Sequence, residues 1–439
     1  MQHRIENVVW LMLTLVLFSL SLPAQEIAGT WQGTLNLKDN EKLRIVLQID
    51  KATEEAFKGT VYSIDQRPDP DPTTTLSFTN HTLKFTADAF RISYEGTLSV
   101  DGKTITGTVT QGSPKPLNFE RATKETAWKI DPSPHTVQMI TVDKDVKLEV
   151  LDWGGTGRSL VLLTGLGNNA HVFDKFAPKL TANYHVYGIT RRGFGISSAP
   201  KPDVTNYTAT RLGEDVLAVI DALHLTQPVV AGHSIAGEEL SYIGNVHPEK
   251  IAGLIYLDAG YPYAMYDQMN GDFLIDVIDL RQQLNQILPG ATPEDDQKKV
   301  LDAFIARLKL VEKGAIARRQ RLEYMPPPPQ RGSRPSPPPV GVAIMLGQQR
   351  FTSIRTPALV IFAAPHDFGS MMKDNPKARA AMEANDKRSV DDQITAFERQ
   401  VPSAHVVRIP NANHYVFNSN EADILREINA FIATLPAVN

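Results

Sequence analysis

Val229-Val230-Ala231-Gly232-His233-Ser234-Ile235-Ala236-Gly237-Glu238-Glu239 is the stretch that decides the fold. Val229–Ala231 is a short apolar run, the pattern of a strand buried on both faces. Gly232 to Gly237 then sets small residues on either side of one serine. Small residues at that spacing suit a turn too tight for larger side chains. From Glu238 onward the pattern is helical, and two carboxylates in a first turn favour the positive end of the helix dipole. A strand that passes through a tight turn into a helix exposes Ser234 above a sheet. It also aims a helix N-terminus at any negative charge that develops there.

The same rhythm recurs on both sides. Leu160–Leu163, His185–Ile189, Leu254–Leu257, Leu359–Phe362 and His405–Ile409 are further short apolar runs. Between them Leu212, Val216, Val219, Ile220 and Leu223 fall at helical spacing. Strands alternating with helices predict an α/β fold, a mostly parallel sheet covered on both faces, over residues 136–260 and 357–439. Residues 261–356 interrupt it. Thr292-Pro293-Glu294-Asp295 reads as a capped helix start. Eight prolines between Pro326 and Pro339 exclude helix and central strand there, so the expectation is a lid or cap insertion with an exposed proline-rich loop.

The passage through Gly232-His233-Ser234-Ile235-Ala236 resembles the nucleophile elbow of the α/β-hydrolase family, with Ala236 in place of the usual final glycine. Leu163-Thr164-Gly165-Leu166-Gly167-Asn168 resembles that family's oxyanion segment, with Thr164 where His is usual. Thr190-Arg191-Arg192-Gly193-Phe194-Gly195-Ile196-Ser197 resembles its Arg-Gly-x-Gly-x-Ser loop. The resemblance implies Ser234 as nucleophile, an acid and a histidine later in the chain, and the backbone N–H groups of Leu166 and Ile235 as oxyanion donors. Asp367 and His414, each just past a strand, are in the required order. Asp258, after Leu254–Leu257, is the alternative acid, because some members draw it from that strand. A serine at the elbow argues against the dehalogenases and epoxide hydrolases of this fold, which use aspartate there. The implied activity is carboxylic ester hydrolysis. The alternatives are an amidase, aminopeptidase, thioesterase or carbon–carbon bond hydrolase with the same triad, or a non-catalytic ligand-binding protein on this fold.

Other residues compete for roles. His366 adjoins Asp367 but is a poor candidate base, since neighbouring side chains need not converge. His171, Tyr261 and Tyr263 are candidate pocket residues, the tyrosines because they emerge directly after Leu254–Leu257. His233 reads as structural packing.

Residues 26–121 follow different rules. Leu43, Ile45, Leu47 and Ile49 alternate with polar or outward residues, the period of a half-buried strand. Asp101-Gly102 lies between two strand-like runs and predicts a two-residue hairpin turn. Pro68, Pro70 and Pro72 predict a loop. The expectation is a small β-barrel or sandwich. Ahead of it, residues 1–25 carry a near-continuous apolar run, Val8 to Phe18, then Pro23-Ala24. That reads as a signal peptide cut near Ala24, giving an exported, periplasmic or extracellular protein with no stable membrane anchor.

Composition narrows the rest. Lys+Arg 45 against Asp+Glu 49 gives a net charge of −4, which excludes a generally basic nucleic-acid binder. The absence of cysteine removes disulfides, thiolate metal sites and a cysteine nucleophile together. With no His-Glu-x-x-His and no Gly-x-Gly-x-x-Gly between strand and helix, no metal or dinucleotide cofactor is expected. The expected partner is a small-molecule substrate.

Overall fold

The computed structural model describes residues 27–37, 42–53, 56–64, 67–88, 92–131, 133–288, 293–324, 339–373 and 375–437. The expected leader at 1–25, the expected capping residue Thr292 and the prolines from 326 to 338 lie outside the described residues. The chain divides into two units, Met1–Asp131 and Pro132–Asn439.

In the first unit, β1 (Gly29–Asn36), β2 (Lys42–Lys51), β3 (Phe57–Ser63), β4 (Arg67–Pro72), β5 (Thr75–Thr79), β6 (Thr82–Ala87), β7 (Ile92–Leu98), β8 (Thr104–Gln111), β9 (Ser113–Pro116) and β10 (Phe119–Arg121) make one antiparallel sheet. Its order is β4-β3-β2-β1-β10-β8-β7-β6-β5, with β9 beside β8. A sandwich needs two sheets and a barrel needs closure. Here a single sheet curls, and its end strands β4 and β5 do not pair among the described residues. Trp31, Leu47 and Val61 from one half meet Leu83, Phe85 and Tyr94 from the other in one core. At Gly59 a Cβ would lie 2.6 Å from Leu76 Cδ1, so β3 approaches β5 without pairing.

Two local expectations change. Pro68, Pro70 and Pro72 lie in a strand rather than a loop, because β4 is an edge and needs no second row of N–H donors. The hairpin after β7 is longer than two residues. Ser99 N–H donates to Thr104 O at 2.8 Å, leaving Val100–Lys103 as a four-residue turn with Gly102 at φ +69°.

In the second unit, β11 (Thr136–Asp143), β12 (Val146–Gly154), β13 (Ser159–Leu163), β14 (His185–Ile189), β15 (Val229–His233), β16 (Gly253–Leu257), β17 (Ala358–Ala363) and β18 (His405–Ile409) form an eight-stranded sheet. The order is β11-β12-β14-β13-β15-β16-β17-β18. The β11–β12 and β12–β14 pairs are antiparallel and the others parallel. Helices α1 (Ala209–Ala222), α2 (Gly237–Val246), α3 (Phe273–Gln286), α4 (Glu294–Tyr324), α5 (Pro339–Leu346), α6 (Pro376–Gln400), α7 (Val416–Ser419) and α8 (Glu421–Ala433) connect and cover the strands. Pleating sorts neighbouring residues onto opposite faces. Val161, Val230, Tyr256 and Val360 enter one core, while Leu160, Leu162, Ala231 and Ile255 enter the other. Each fully buried valine, leucine or isoleucine among them contributes about 1.5–3 kcal/mol relative to exposure. Helices α3, α4 and α5 occupy the expected insertion between β16 and β17. No helix among the described residues is long and apolar enough to cross a membrane.

Candidate active site

Ser234 sits at the carboxyl end of the central strand β15, at φ +53°. A non-glycine residue in the left-handed region is strained, and here the strain holds the side chain out of the turn between β15 and α2. At Gly232 a Cβ would lie 2.9 Å from Ala236 Cβ, so the turn demands glycine there. Ala236 has an ordinary helical φ of −59° and needs no glycine. The close approach falls one residue later: at Gly237 a Cβ would lie 2.1 Å from the Ala259 carbonyl oxygen. The departure from the usual motif at Ala236 is therefore absorbed by Gly237.

His414 lies in the loop after β18. Its Nε2 is 2.9 Å from Ser234 Oγ, and its Nδ1 is 2.6 Å from Asp258 Oδ2. Asp258 follows β16 directly, is fully buried and has φ +48°. Its Oδ1 accepts the Ala363 N–H at 3.0 Å, and the Tyr261 hydroxyl lies 3.2 Å from both of its oxygens. His366 Nε2 is a further 2.8 Å neighbour of Oδ2. Burial alone would push the Asp258 carboxyl up. Hydrogen bonds from His366 and His414, with their charges, outweigh burial and hold it below the usual carboxylate range.

The expectation that Asp367 orients His414 is not met. Asp367 is exposed, and its Oδ1 accepts the Gly369 N–H at 2.8 Å. Only its backbone reaches the histidine loop, where its N–H donates to Ala412 O at 2.8 Å. The preceding residue, His366, bridges to Ala412 in extended conformation. Successive side chains there face opposite ways, which sends His366 inward and Asp367 outward. The sequence offered no sign of the role of His366, nor of Asp386 on α6, whose Oδ2 lies 3.1 Å from His366 Nδ1.

Supporting groups surround the elbow. His233 Nε2 donates to the His414 carbonyl at 2.9 Å, and a Cβ at Gly165 would meet His233 Nδ1 at 2.7 Å. Burial, then the nearby His414, lowers His233 to about 4. Arg191 grips Glu239 through Nε and Nη2, both at 2.7 Å, and donates to the Thr164 carbonyl at 2.8 Å. It thereby ties α2 to the segment leading into Leu166. Thr190 donates to Glu149 Oε2 at 2.5 Å and accepts the Ala170 N–H at 2.9 Å. Glu238 is fully buried with neither carboxyl oxygen hydrogen-bonded, and burial pushes it well above the ordinary glutamate value.

The candidate pocket residues separate. Tyr261 is committed to Asp258. Tyr263 is held beside Ser234 and Asp258, and burial, reinforced by Asp258, pushes its phenol up. His171 is engaged elsewhere: Nδ1 lies 3.0 Å from Asp174 Oδ2 and Nε2 3.6 Å from Glu149 Oε1. Burial opposes its charge, but those two carboxylates raise it to about 10. Leu166 sits just past β13 and Ile235 just past Ser234.

Among the described residues, two groups have metal-ligating side chains close together, Asp258-His366-His414 and a set containing His135, His171 and Asp174. In the first, separations of 2.6 and 2.8 Å are hydrogen-bond lengths. Two ligands of one ion with bonds of about 2.1 Å lie roughly 3 Å apart or more, so this group fits protons better than a metal.

Residues 158–309 match the family model of the alpha/beta hydrolase fold. A stretch of 119 residues is 30% identical to a fluoroacetate dehalogenase from Burkholderia sp, covering 27% of this chain and 39% of that protein. Over 116 residues the chain is 32% identical to a pyrethroid hydrolase from Sphingobium wenxiniae, covering 24% of this chain and 36% of that one. The chain thus spans less than half the length of these relatives. A bromoperoxidase structure from Bacillus anthracis superposes with TM-score 0.42 at 18% identity, over 68% of this chain and 100% of that one. With the sheet order and the elbow described above, the family match leads to one conclusion: the unit Pro132–Asn439 has the α/β-hydrolase fold.

Proposed function

We propose that this chain is a serine hydrolase that cleaves carboxylic esters or related acyl compounds through an acyl-enzyme. The observation that carries this reading is the double engagement of His414, 2.9 Å from Ser234 Oγ and 2.6 Å from Asp258 Oδ2. Ser234 Oγ attacks the acyl carbon while His414 Nε2 takes its proton. Asp258 holds the opposite N–H and stabilises the imidazolium that forms. The N–H groups of Leu166 and Ile235 stabilise the oxyanion. His414 then protonates the leaving oxygen, and water, deprotonated by the same nitrogen, releases the acid.

One relative is named a fluoroacetate dehalogenase and another a pyrethroid hydrolase. Ser234 presents a hydroxyl rather than a carboxylate, which favours acyl transfer over halide displacement in this chain. Tyr263 beside Ser234 favours uncharged acyl or aryl groups. Helices α3 to α5 serve in this reading as a lid, and the apolar run Val8–Phe18 as the leader of an exported protein.

The test is hydrolysis of p-nitrophenyl esters of graded acyl length by wild type and Ser234→Ala. Turnover in wild type and a loss of about 10⁴-fold or more in the variant are expected. Equal turnover in the two proteins contradicts the reading.

A further inference from the structure

We propose that His366, held as an imidazolium between Asp258 and Asp386, is a positioning residue that clamps the triad carboxylate and sets the acid limb of the pH–rate profile. This rests on the triad reading above.

The protonation follows from geometry. His366 Nε2 lies 2.8 Å from Asp258 Oδ2, and Nδ1 lies 3.1 Å from Asp386 Oδ2. A neutral imidazole has one N–H, so one of these contacts would set two lone pairs against each other. Two carboxylates on two ring nitrogens require two N–H groups. The ring is 9% exposed and Asp258 0%, so water does little to screen the arrangement. Burial opposes the charge, but the hydrogen bond and charge of Asp258, followed by those of Asp386, raise His366 to about 9.

The groups facing His366 come from every element around it. Asp258 and Tyr261 follow β16, Asp386 is on α6, and His414 follows β18 with its ring centre 6.2 Å away. Tyr261 OH is 3.2 Å from His366 Nε2, and the Phe368 ring centre is 6.0 Å from its ring. Asp367 faces away, toward Gly369.

Two consequences follow. Asp258 Oδ2 takes donors from both histidines, while Oδ1 takes the Ala363 N–H, so the carboxylate's orientation does not depend on His414 alone. The His366 charge also sits on the side of Asp258 that faces His414. It offsets part of the carboxylate's field at the triad, so catalysis should hold to lower pH than it would without the clamp.

The experiment is kcat/KM against pH on one neutral p-nitrophenyl ester for wild type, His366→Gln and His366→Lys, with thermal melts of each. Removing the cation in His366→Gln should move the acid limb up by on the order of one pH unit. His366→Lys, which restores the charge, should bring it back toward wild type. A folded His366→Gln enzyme with an unmoved acid limb overturns the proposal, whatever its kcat. Should His366→Gln not fold, proton NMR of the wild-type imidazole N–H signals decides. Both His366 N–H signals should persist to about pH 8, with the Nδ1–H signal lost in Asp386→Asn. Titration of His366 below pH 7 overturns the proposal. Full activity in Ser234→Ala would instead sink the triad reading while leaving the NMR result intact, so the two failures are distinguishable.

Discussion

His233 Nε2 donates a hydrogen bond to the backbone carbonyl of His414 at 2.9 Å, so the residue before Ser234 anchors the loop that carries His414. The bond is made by a neutral ring, since burial lowers His233 to about 4 from an ordinary 6.5. The unfolded chain therefore binds a proton that the folded chain refuses between those two values. Stability rises with pH across that window and is lost as pH falls from about 6.5 toward 4, by up to about 3 kcal/mol from this group. His233→Gln removes the titration and keeps an N–H donor. Thermal melts from pH 4 to 7 should give a flatter curve for the variant. Parallel curves would show that His233 is not the group responsible.

Asp258 and Asp367 make opposite predictions. Asp258→Asn leaves the site without the carboxylate on His414 Nδ1 and should cut kcat by about 10⁴-fold. Asp367→Asn touches only the Gly369 turn and should stay within a few-fold of wild type. Steady-state kinetics on the two variants, with melts to confirm folding, decides between them. A dead Asp367→Asn beside an active Asp258→Asn would reverse the assignment.

That contrast also marks how far the sequence was legible. The six short apolar runs and the strand-to-helix turn at Ser234 appear in the structure where periodicity and motif put them. Each is a local pattern. The hairpin β11–β12 escaped notice because it lies beside the parallel strands rather than among them. The acid was ambiguous because an aspartate follows both β16 and β17. The choice depends on which of two adjacent side chains, His366 or Asp367, turns inward, and a one-residue alternation in a loop leaves no trace in composition. Asp386 lies 20 residues from His366, and only the packing of α6 brings them together. In the first unit alternation gave the strands, but sheet closure depends on non-local pairing: the expected barrel or sandwich is a half-barrel, one curled sheet whose end strands do not pair among the described residues.

Glu238 gives a stability prediction of the opposite sign. Its buried, unpaired carboxyl is kept protonated by the fold, so the folded chain holds a proton that the unfolded chain releases above about pH 4.5. Stability from this group is present at acid pH and is lost as pH rises above that point. Glu238→Gln is a neutral replacement of the same shape. The variant should melt at a higher temperature than wild type at pH 8, with the difference shrinking toward pH 4. A difference that does not change with pH would mean that Glu238 does not titrate as described.

The most direct measurement of the central claim is intact-protein and peptide mass spectrometry after treatment with a fluorophosphonate. A hydroxyl that His414 can deprotonate reacts with this reagent, and other serines do not. The account predicts a single adduct on Ser234, formed at a rate that falls by orders of magnitude in His414→Ala and Asp258→Asn. An unlabelled Ser234 in a folded, ester-cleaving protein, or labelling that proceeds at the same rate without His414, would contradict it.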